Sequence, residues 1–365
     1  MTFEELLAEH TREGELVRPM PDGRLECFAC SHRCRLAEGK SGICKVRFVK
    51  NGKLRVPWGY VSGVQDDPVE KKPFYHALPG ARAMSFGMLG CDFHCDYCQN
   101  WVTSQTLRNG EAVQYPNPIR PEDLVALAVR ERCEIVTSTY NEPLITSEWA
   151  AGIFREARRR GLYTAYVSNG NGTPEVWGYL KPWLDLVKVD LKCFQEAHYR
   201  SLGGSLQVIC ENIRLLYRQG FWLETLTLLI PGFNDSEEEL VRLTEFVASV
   251  SPDIPWHVTA FHKDYRMTTA RNTKAEDLLR AAEIGKRSGL RYVYAGNLPG
   301  AVSGLENTYC HACGGLVIER EGFTVLKDAL SATGGNCPSC GTQIPGFWKA
   351  RPRDRLSGGE VRPFL

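Results

Sequence analysis

Apolar and polar positions follow two rhythms along the chain. Between residues 81 and 300, short β-rich runs recur as AMSFGML, EIVTSTY, YTAYVSN, LDLVKVDL, LETLTLLI, WHVTAFH and YVYAGN. The stretches between them carry the 3.6-residue rhythm of amphipathic helices. In SEEELVRLTEFVASV, Leu240, Leu243, Val247 and Val250 share one face, and Ser236 with Glu239 makes a capping box. A second box, Thr273 with Glu276, opens TKAEDLLRAAEIGKRSG, and Gly289 closes that helix. Strands alternating with helices at this spacing predict an α/β fold, a partial or complete TIM-like (β/α) barrel with its site at the strands' carboxyl ends.

The flanks lose that rhythm. Residues 20–75 hold many turn formers and short alternating stretches such as GKLRVPWGYVSGVQ, which predict a small β-rich module. Residues 306–348 read as a compact ribbon followed by a polar tail. The expected organisation is an amino-terminal four-cysteine module (1–80), the barrel (81–300) and a zinc-ribbon-like module with tail (301–365).

Composition narrows the functional classes. The 365 residues are 43% hydrophobic and 24% charged with a net charge of +1, which gives no electrostatic footprint for general nucleic-acid binding. MTFEELLAEHTREGELV lacks the basic-then-apolar layout of a signal peptide, and no run approaches the ~18 apolar residues of a membrane span. The expectation is a cytoplasmic protein without a membrane partner. Fourteen cysteines in such a chain call for a metal pattern, since disulfides are rare in that compartment. Cys27, Cys30, Cys34 and Cys44 form one set, Cys91, Cys95 and Cys98 a second, and Cys310, Cys313, Cys337 and Cys340 a third; Cys133, Cys193 and Cys210 stand alone.

The middle set lies in GCDFHCDYCQN, directly after the first barrel strand. Three thiolates can ligate three irons of a four-iron cluster and leave the fourth iron open, and an open position is what chemistry requires. The alternative is structural zinc completed by His94 or a distant ligand. Cys91-x3-Cys95-x2-Cys98, with Tyr97 before the last cysteine, resembles the signature of the radical S-adenosylmethionine (SAM) superfamily. That resemblance implies a [4Fe-4S] cluster whose open iron is chelated by SAM, and a 5′-deoxyadenosyl radical that abstracts hydrogen.

The resemblance also assigns strand ends. In STYNEP it places Glu142 against the SAM ammonium, with Tyr140 and Asn141 beside it; a capping or loop acid is the alternative. In VSNGNG it places Ser168 and Asn169 near the methionyl or ribose polar atoms. VDLK resembles the glycyl-radical-activating branch, in which an Asp-x-Lys pair contacts SAM, here Asp190 and Lys192; a salt bridge at the barrel rim is the alternative. His262 in AFH falls where that branch keeps a ribose-contacting histidine. His257 belongs to packing or to the substrate side, and YVYAGN borders the adenine. No residue is assigned as a second hydrogen donor, although Cys193, Tyr265 and His257 lie near the predicted mouth.

CFACSHRCRLAEGKSGIC, PWHVTAFHKDYRM and YCHACGG…CPSCGTQIPGFW together resemble the AmmeMemoRadiSam-system radical SAM enzymes, relatives of the pyruvate formate-lyase activating enzyme. This implies an activating-enzyme-like oxidoreductase acting on a protein substrate, an electron donor such as flavodoxin or ferredoxin, and Memo-type partner proteins. Radical modification of a small metabolite or nucleic acid is the alternative reaction, and a non-catalytic metal-binding scaffold the alternative class.

Two sets remain. Cys310-x2-Cys313 and Cys337-x2-Cys340 are each followed by glycine, as in knuckles that hold tetrahedral, structural zinc. Cys27-x2-Cys30-x3-Cys34-x9-Cys44 is also complete at four and suits zinc, the favoured choice, or an auxiliary iron–sulfur cluster.

Overall fold

The computed structural model describes residues 3–110, 114–302 and 304–351; most of the predicted polar tail falls outside them. An eight-stranded sheet forms the centre. Its strands are β1 (Gly63–Pro68), β2 (Arg82–Gly87), β3 (Ile135–Ser138), β4 (Tyr163–Ser168), β5 (Leu186–Asp190), β6 (Trp222–Leu229), β7 (Trp256–Ala260) and β8 (Val293–Gly296). β2 to β8 pair in parallel in chain order, and β1 lies antiparallel on the outer side of β2. β1 and β8 are the two edges of the sheet, so of the two predicted forms the barrel is the partial one.

Crossover helices cover the outer face: α1 (Pro121–Arg130), α2 (Ser147–Arg159), α3 (Pro174–Leu180), α4 (Glu196–Leu202), α5 (Leu206–Arg218), α6 (Glu237–Val250) and α7 (Ala275–Arg287). The period of two along each strand sorts the side chains. In β5, Val187 and Val189 are fully buried in the main apolar core, while the alternate residues Lys188 and Asp190 line the central cavity. Burying each such aliphatic side chain contributes on the order of 1.5–3 kcal/mol. Among the described residues no helix is long and apolar enough to cross a membrane.

The caps follow the sequence only in part. Ser236 Oγ accepts the Glu239 amide at 3.3 Å, but the return bond of the expected box is not made: the Glu239 carboxylate instead accepts the Phe194 amide and the Gln195 side-chain amide, each at 2.5 Å. The Thr273–Glu276 box does not form. Thr273 is buried, where its hydroxyl accepts the Phe261 amide at 3.1 Å and donates to the Leu229 carbonyl at 2.5 Å. The helix starts later, and the Asp277 carboxylate accepts the Lys274 amide at 2.9 Å. A tertiary demand on Thr273 overrides its local capping preference.

Segment 69–78 seals the amino-terminal end of the barrel. Val69, Phe74, Ala77 and Leu78 pack with Ala83, Ile135, Ala165 and Leu186, residues near the starts of their strands, and with Phe347 from the far end of the chain. The ribbon then closes the side. Its strands β9 (Thr308–Tyr309), β10 (Leu316–Glu321) and β11 (Thr324–Asp328) form an antiparallel sheet. Val317, Ile318 and Trp348 pack against Tyr75, Tyr292 and Tyr294. Arg320 and Glu70, both 0% exposed, pair at 3.3 Å, and Arg320 also donates to the Tyr75 carbonyl at 2.8 Å. The ribbon thus holds both β8 and the segment that follows β1.

The amino-terminal module consists of short antiparallel strands, with Leu25–Cys27 between Val17–Pro19 and Arg35–Leu36, and Lys53–Pro57 between Thr11–Glu13 and Phe48–Lys50. It is anchored to the barrel by Arg47, which pairs with Glu148 of α2 through two 2.7 Å contacts.

Candidate functional site

A cavity of about 400 Å³ opens at the carboxyl ends of the parallel strands. Cys91, Cys95, Tyr97 and Cys98 line one side, on the loop that leaves β2. The sequence fixes that loop by close approach. Gly90 has φ +92°, and a Cβ there would meet Val46 Cγ1 at 2.9 Å and the Cys44 carbonyl at 3.0 Å. A Cβ on Gly204 would lie 2.3 Å from the ring of Phe93. The His94 amide donates to the Leu202 carbonyl at 3.0 Å, and the Gln105 and Arg108 side chains hold the Phe93 carbonyl at 3.1 and 2.8 Å.

The loop also supplies donors to its own sulfurs. The Phe93 amide donates to Cys91 Sγ at 3.4 Å, and Ser104 Oγ lies 3.1 Å from Cys98 Sγ. Burial pushes all three thiols up, Cys95 to about 12. The Tyr97 hydroxyl is buried with no hydrogen-bond partner among the described residues.

Opposite, Glu142 caps the short 3-10 turn Pro143–Thr146 by accepting the Leu144 amide at 3.0 Å. Its carboxylate also accepts Ser168 Oγ and the Asn169 amide, each at 2.7 Å, which ties the end of β3 to the end of β4. Burial and then the charge of Asp92 raise Glu142 to about 8. Asp92 in turn accepts the side-chain amides of Asn169 and Asn171, each at 2.8 Å. Asn141 Oδ1 accepts the Met88 amide at 3.1 Å. Tyr140, beside it, takes the left-handed backbone at φ +68°, an uncommon conformation for a bulky residue that clusters at functional sites.

Asp190 lies between two lysines, Lys188 and Lys192, and bonds both. Burial raises its carboxyl, but the two ammonium groups outweigh that and hold it below its ordinary range. Tyr97, Asn141, Glu142, Ser168, Asn169, Asp190 and Lys192 therefore line the same cavity as the three cysteines. His262 does not join them. β7 ends at Ala260, the Phe261 amide is bound by Thr273, and His262 is exposed outside the cavity lining.

Lys72 and Lys188 line the cavity although the sequence reading did not name them, and His257, left there between packing and the substrate side, lines it too. Lys72 pairs with Asp67 at 2.7 Å and donates to the Tyr140 hydroxyl at 3.0 Å. His257 Nε2 lies 2.7 Å from Glu224, whose carboxylate also accepts the Tyr75 and His76 amides at 3.0 Å each. Burial lowers His257 despite that partner, which favours the neutral ring. The signal that could have found Lys188 is the period-two alternation in LDLVKVDL, which puts it on the face of Asp190.

In the ribbon, the sulfurs of Cys310, Cys313, Cys337 and Cys340 lie mutually within 4.8 Å, with Cys310–Cys340 at 3.6 Å and Cys313–Cys337 at 3.7 Å. Tetrahedral zinc with 2.3 Å bonds separates its thiolates by about 3.8 Å. The set can therefore hold one metal ion.

An open α/β barrel with three thiols and a ring of strand-end polar groups in one cavity defines a protein built to hold a cofactor at its barrel mouth. The radical SAM superfamily model matches residues 87–244. An uncharacterised protein of Methanocaldococcus jannaschii is 32% identical over 335 residues, which span 91% of this chain and 98% of that one. The pyruvate formate-lyase-activating enzyme of Staphylococcus aureus is 25% identical over 239 residues, 60% of this chain and 92% of that one. Among solved structures, a domain of the pyruvate-formate lyase-activating enzyme from Bacteroides vulgatus aligns over 44% of this chain and 98% of its own, at 22% identity and a TM-score of 0.40. The chain belongs to the radical SAM superfamily, whose proteins use a [4Fe-4S] cluster and SAM.

The residues fit that group. Three thiols share one cavity, and their sulfurs are not gathered within 4.8 Å of one another as the ribbon's are. A cubane places a separate iron under each thiolate and so requires the wider spacing.

Proposed function

We propose that this chain cleaves SAM reductively and directs the resulting 5′-deoxyadenosyl radical at a hydrogen atom of a protein substrate, in an activating-enzyme-like reaction. Cys91, Cys95 and Cys98 would hold the [4Fe-4S] cluster, which when bound supplies the one electron for SAM cleavage. The convergence of these three thiols with Glu142 at the carboxyl ends of β2 and β3 carries the reading.

Glu142 receives the SAM ammonium: a buried carboxyl raised to about 8 gains a cation that draws it back to its ionised form. Ser168 and the Asn169 amide orient that carboxylate and face the methionyl end. Asp190 and Lys192 would present a carboxylate and an ammonium to bound SAM, and Tyr97 an unpartnered hydroxyl. The closed floor built from segment 69–78 keeps water from the radical's path. The ribbon would hold structural zinc. A flavodoxin- or ferredoxin-type donor would supply the electron.

Memo-type partners rest on the resemblance of the flanking motifs alone; the protein substrate is supported by the likeness to activating enzymes and by modules on both flanks of the barrel. Deuterium-labelled cell extract, split by size and incubated anaerobically with reduced enzyme and SAM, tests it. Deuterium in 5′-deoxyadenosine from the macromolecular fraction is expected. Label arriving only from small molecules overturns the protein substrate, and no SAM cleavage at all overturns the radical chemistry.

A further inference from the structure

We propose that Cys27, Cys30, Cys34 and Cys44 hold a second [4Fe-4S] cluster, one fully ligated by protein, and not the zinc that their sequence spacing also allows. The four side chains converge. Cys27 lies within electrostatic reach of Cys30, Cys34 and Cys44, and three of the four are buried. Their separation distinguishes the metal. Among the described residues, compact groups within 4.8 Å are the four ribbon sulfurs and Cys193 with His198 and Glu239; no three of the amino-terminal sulfurs form one. Zinc requires about 3.8 Å between thiolates, since one ion binds all four. The ribbon meets that requirement and the amino-terminal set does not. It shares its wider arrangement with Cys91, Cys95 and Cys98, and a cubane with one iron behind each thiolate needs that width.

The surroundings suit an anionic cluster. Arg47, 2% exposed at its side chain, donates from Nε to Cys27 Sγ at 3.2 Å, and the Ile43 amide donates to Cys34 Sγ at 3.5 Å. Hydrogen bonds to the sulfurs and burial are the protein's means of tuning such a centre. Four cysteine ligands leave no open iron, so this site would not bind SAM. It sits against the first: the Cys44 carbonyl would lie 3.0 Å from a Cβ on Gly90, the residue before Cys91, and Asp92 acts electrostatically on both Cys30 and Cys34. A second redox-capable centre thus abuts the loop of the cavity cysteines.

The test is metal content after anaerobic reconstitution with ferrous iron, zinc and sulfide. The wild-type chain should hold about eight irons, about eight sulfides and one zinc. The triple variant Cys91→Ala/Cys95→Ala/Cys98→Ala should keep about four irons with a [4Fe-4S] Mössbauer signature, and adding Cys27→Ser and Cys30→Ser should remove them. A triple variant that retains no iron, or a wild type with two zincs and about four irons, overturns the inference. The wild-type count stands even where the variant fails to fold. A wild-type chain that holds about eight irons yet does not cleave SAM would strike the proposed function and leave this site intact.

Discussion

Replacing Arg47 by methionine should destabilise the chain more than replacing Arg47 and Glu148 together. Both side chains are almost fully buried, 2% and 0% exposed, and their two 2.7 Å contacts form a fork between guanidinium and carboxylate. Arg47→Met leaves Glu148 ionised in the interior, with only the Glu15 and Leu16 amides at 3.2 Å as donors. Removing one partner of such a pair costs about 3–5 kcal/mol, whereas replacing both with apolar groups of similar volume is often neutral. The double variant Arg47→Met/Glu148→Met still orphans those two amides and the Ile145 carbonyl, at about 1 kcal/mol each where water does not reach them, and, like Arg47→Met alone, removes the donor to Cys27 Sγ. It should therefore fall between wild type and either single variant.

The acid side of the same experiment has a fixed sign. Burial pushes the Glu148 carboxyl up and Arg47 more than reverses this, leaving it below the ordinary 4.5. Its stabilisation is present above 4.5 and fades as the pH falls through the lower folded value. In Arg47→Met the unpaired carboxyl is easier to protonate, so the gap to wild type should narrow between pH 7 and about 4. Calorimetric unfolding, read with hydrogen exchange at Leu25–Pro57, measures both effects without assuming a single transition. Additive single variants, or a gap that widens in acid, would refute the reasoning.

Three other outcomes follow from the site. Alanine at any one of Cys91, Cys95 or Cys98 should abolish reductive SAM cleavage while circular dichroism stays close to wild type; cleavage at the wild-type rate would remove the assignment. Glu142→Gln should weaken SAM binding by about 1.5–3 kcal/mol, roughly 10- to 150-fold in Kd, and titration calorimetry showing no change would place the ammonium elsewhere. Cys340→Ser should release one zinc and lower the melting temperature while SAM binding persists, and metal analysis finding iron in the ribbon would contradict the zinc reading.

Much of the barrel was legible because it depends on local period. All seven runs read as parallel strands form β2 to β8, and the cysteine spacing with strand-end acids marked the cavity. What the sequence left out depends on partners far apart. Arg47 and Glu148 lie about a hundred positions apart, and His257 is defined by Glu224 and by the segment that binds it. Thr273 read as a helix cap because its tertiary partners, Phe261 and Leu229, cannot be seen from neighbouring residues. His262 followed a motif whose strand ends two residues too early to bring it inward.

The ribbon's grip on both ends of the open sheet has a consequence in the order of synthesis. Arg320, Thr308 and Phe347, which hold Glu70, Tyr75, Tyr294 and Leu78, lie near the end of the described chain, whereas Cys91, Cys95 and Cys98 lie in its first third. At ~5–20 residues per second, more than 200 residues separate the exit of the cysteine loop from that of the closing strands, an interval of roughly 10–40 seconds. During it the half-made barrel has its cavity cysteines but no side wall. A cluster delivered at that stage would meet an open-sided nascent chain, and metal capture by the ribbon's four cysteines would be the step that shuts the door.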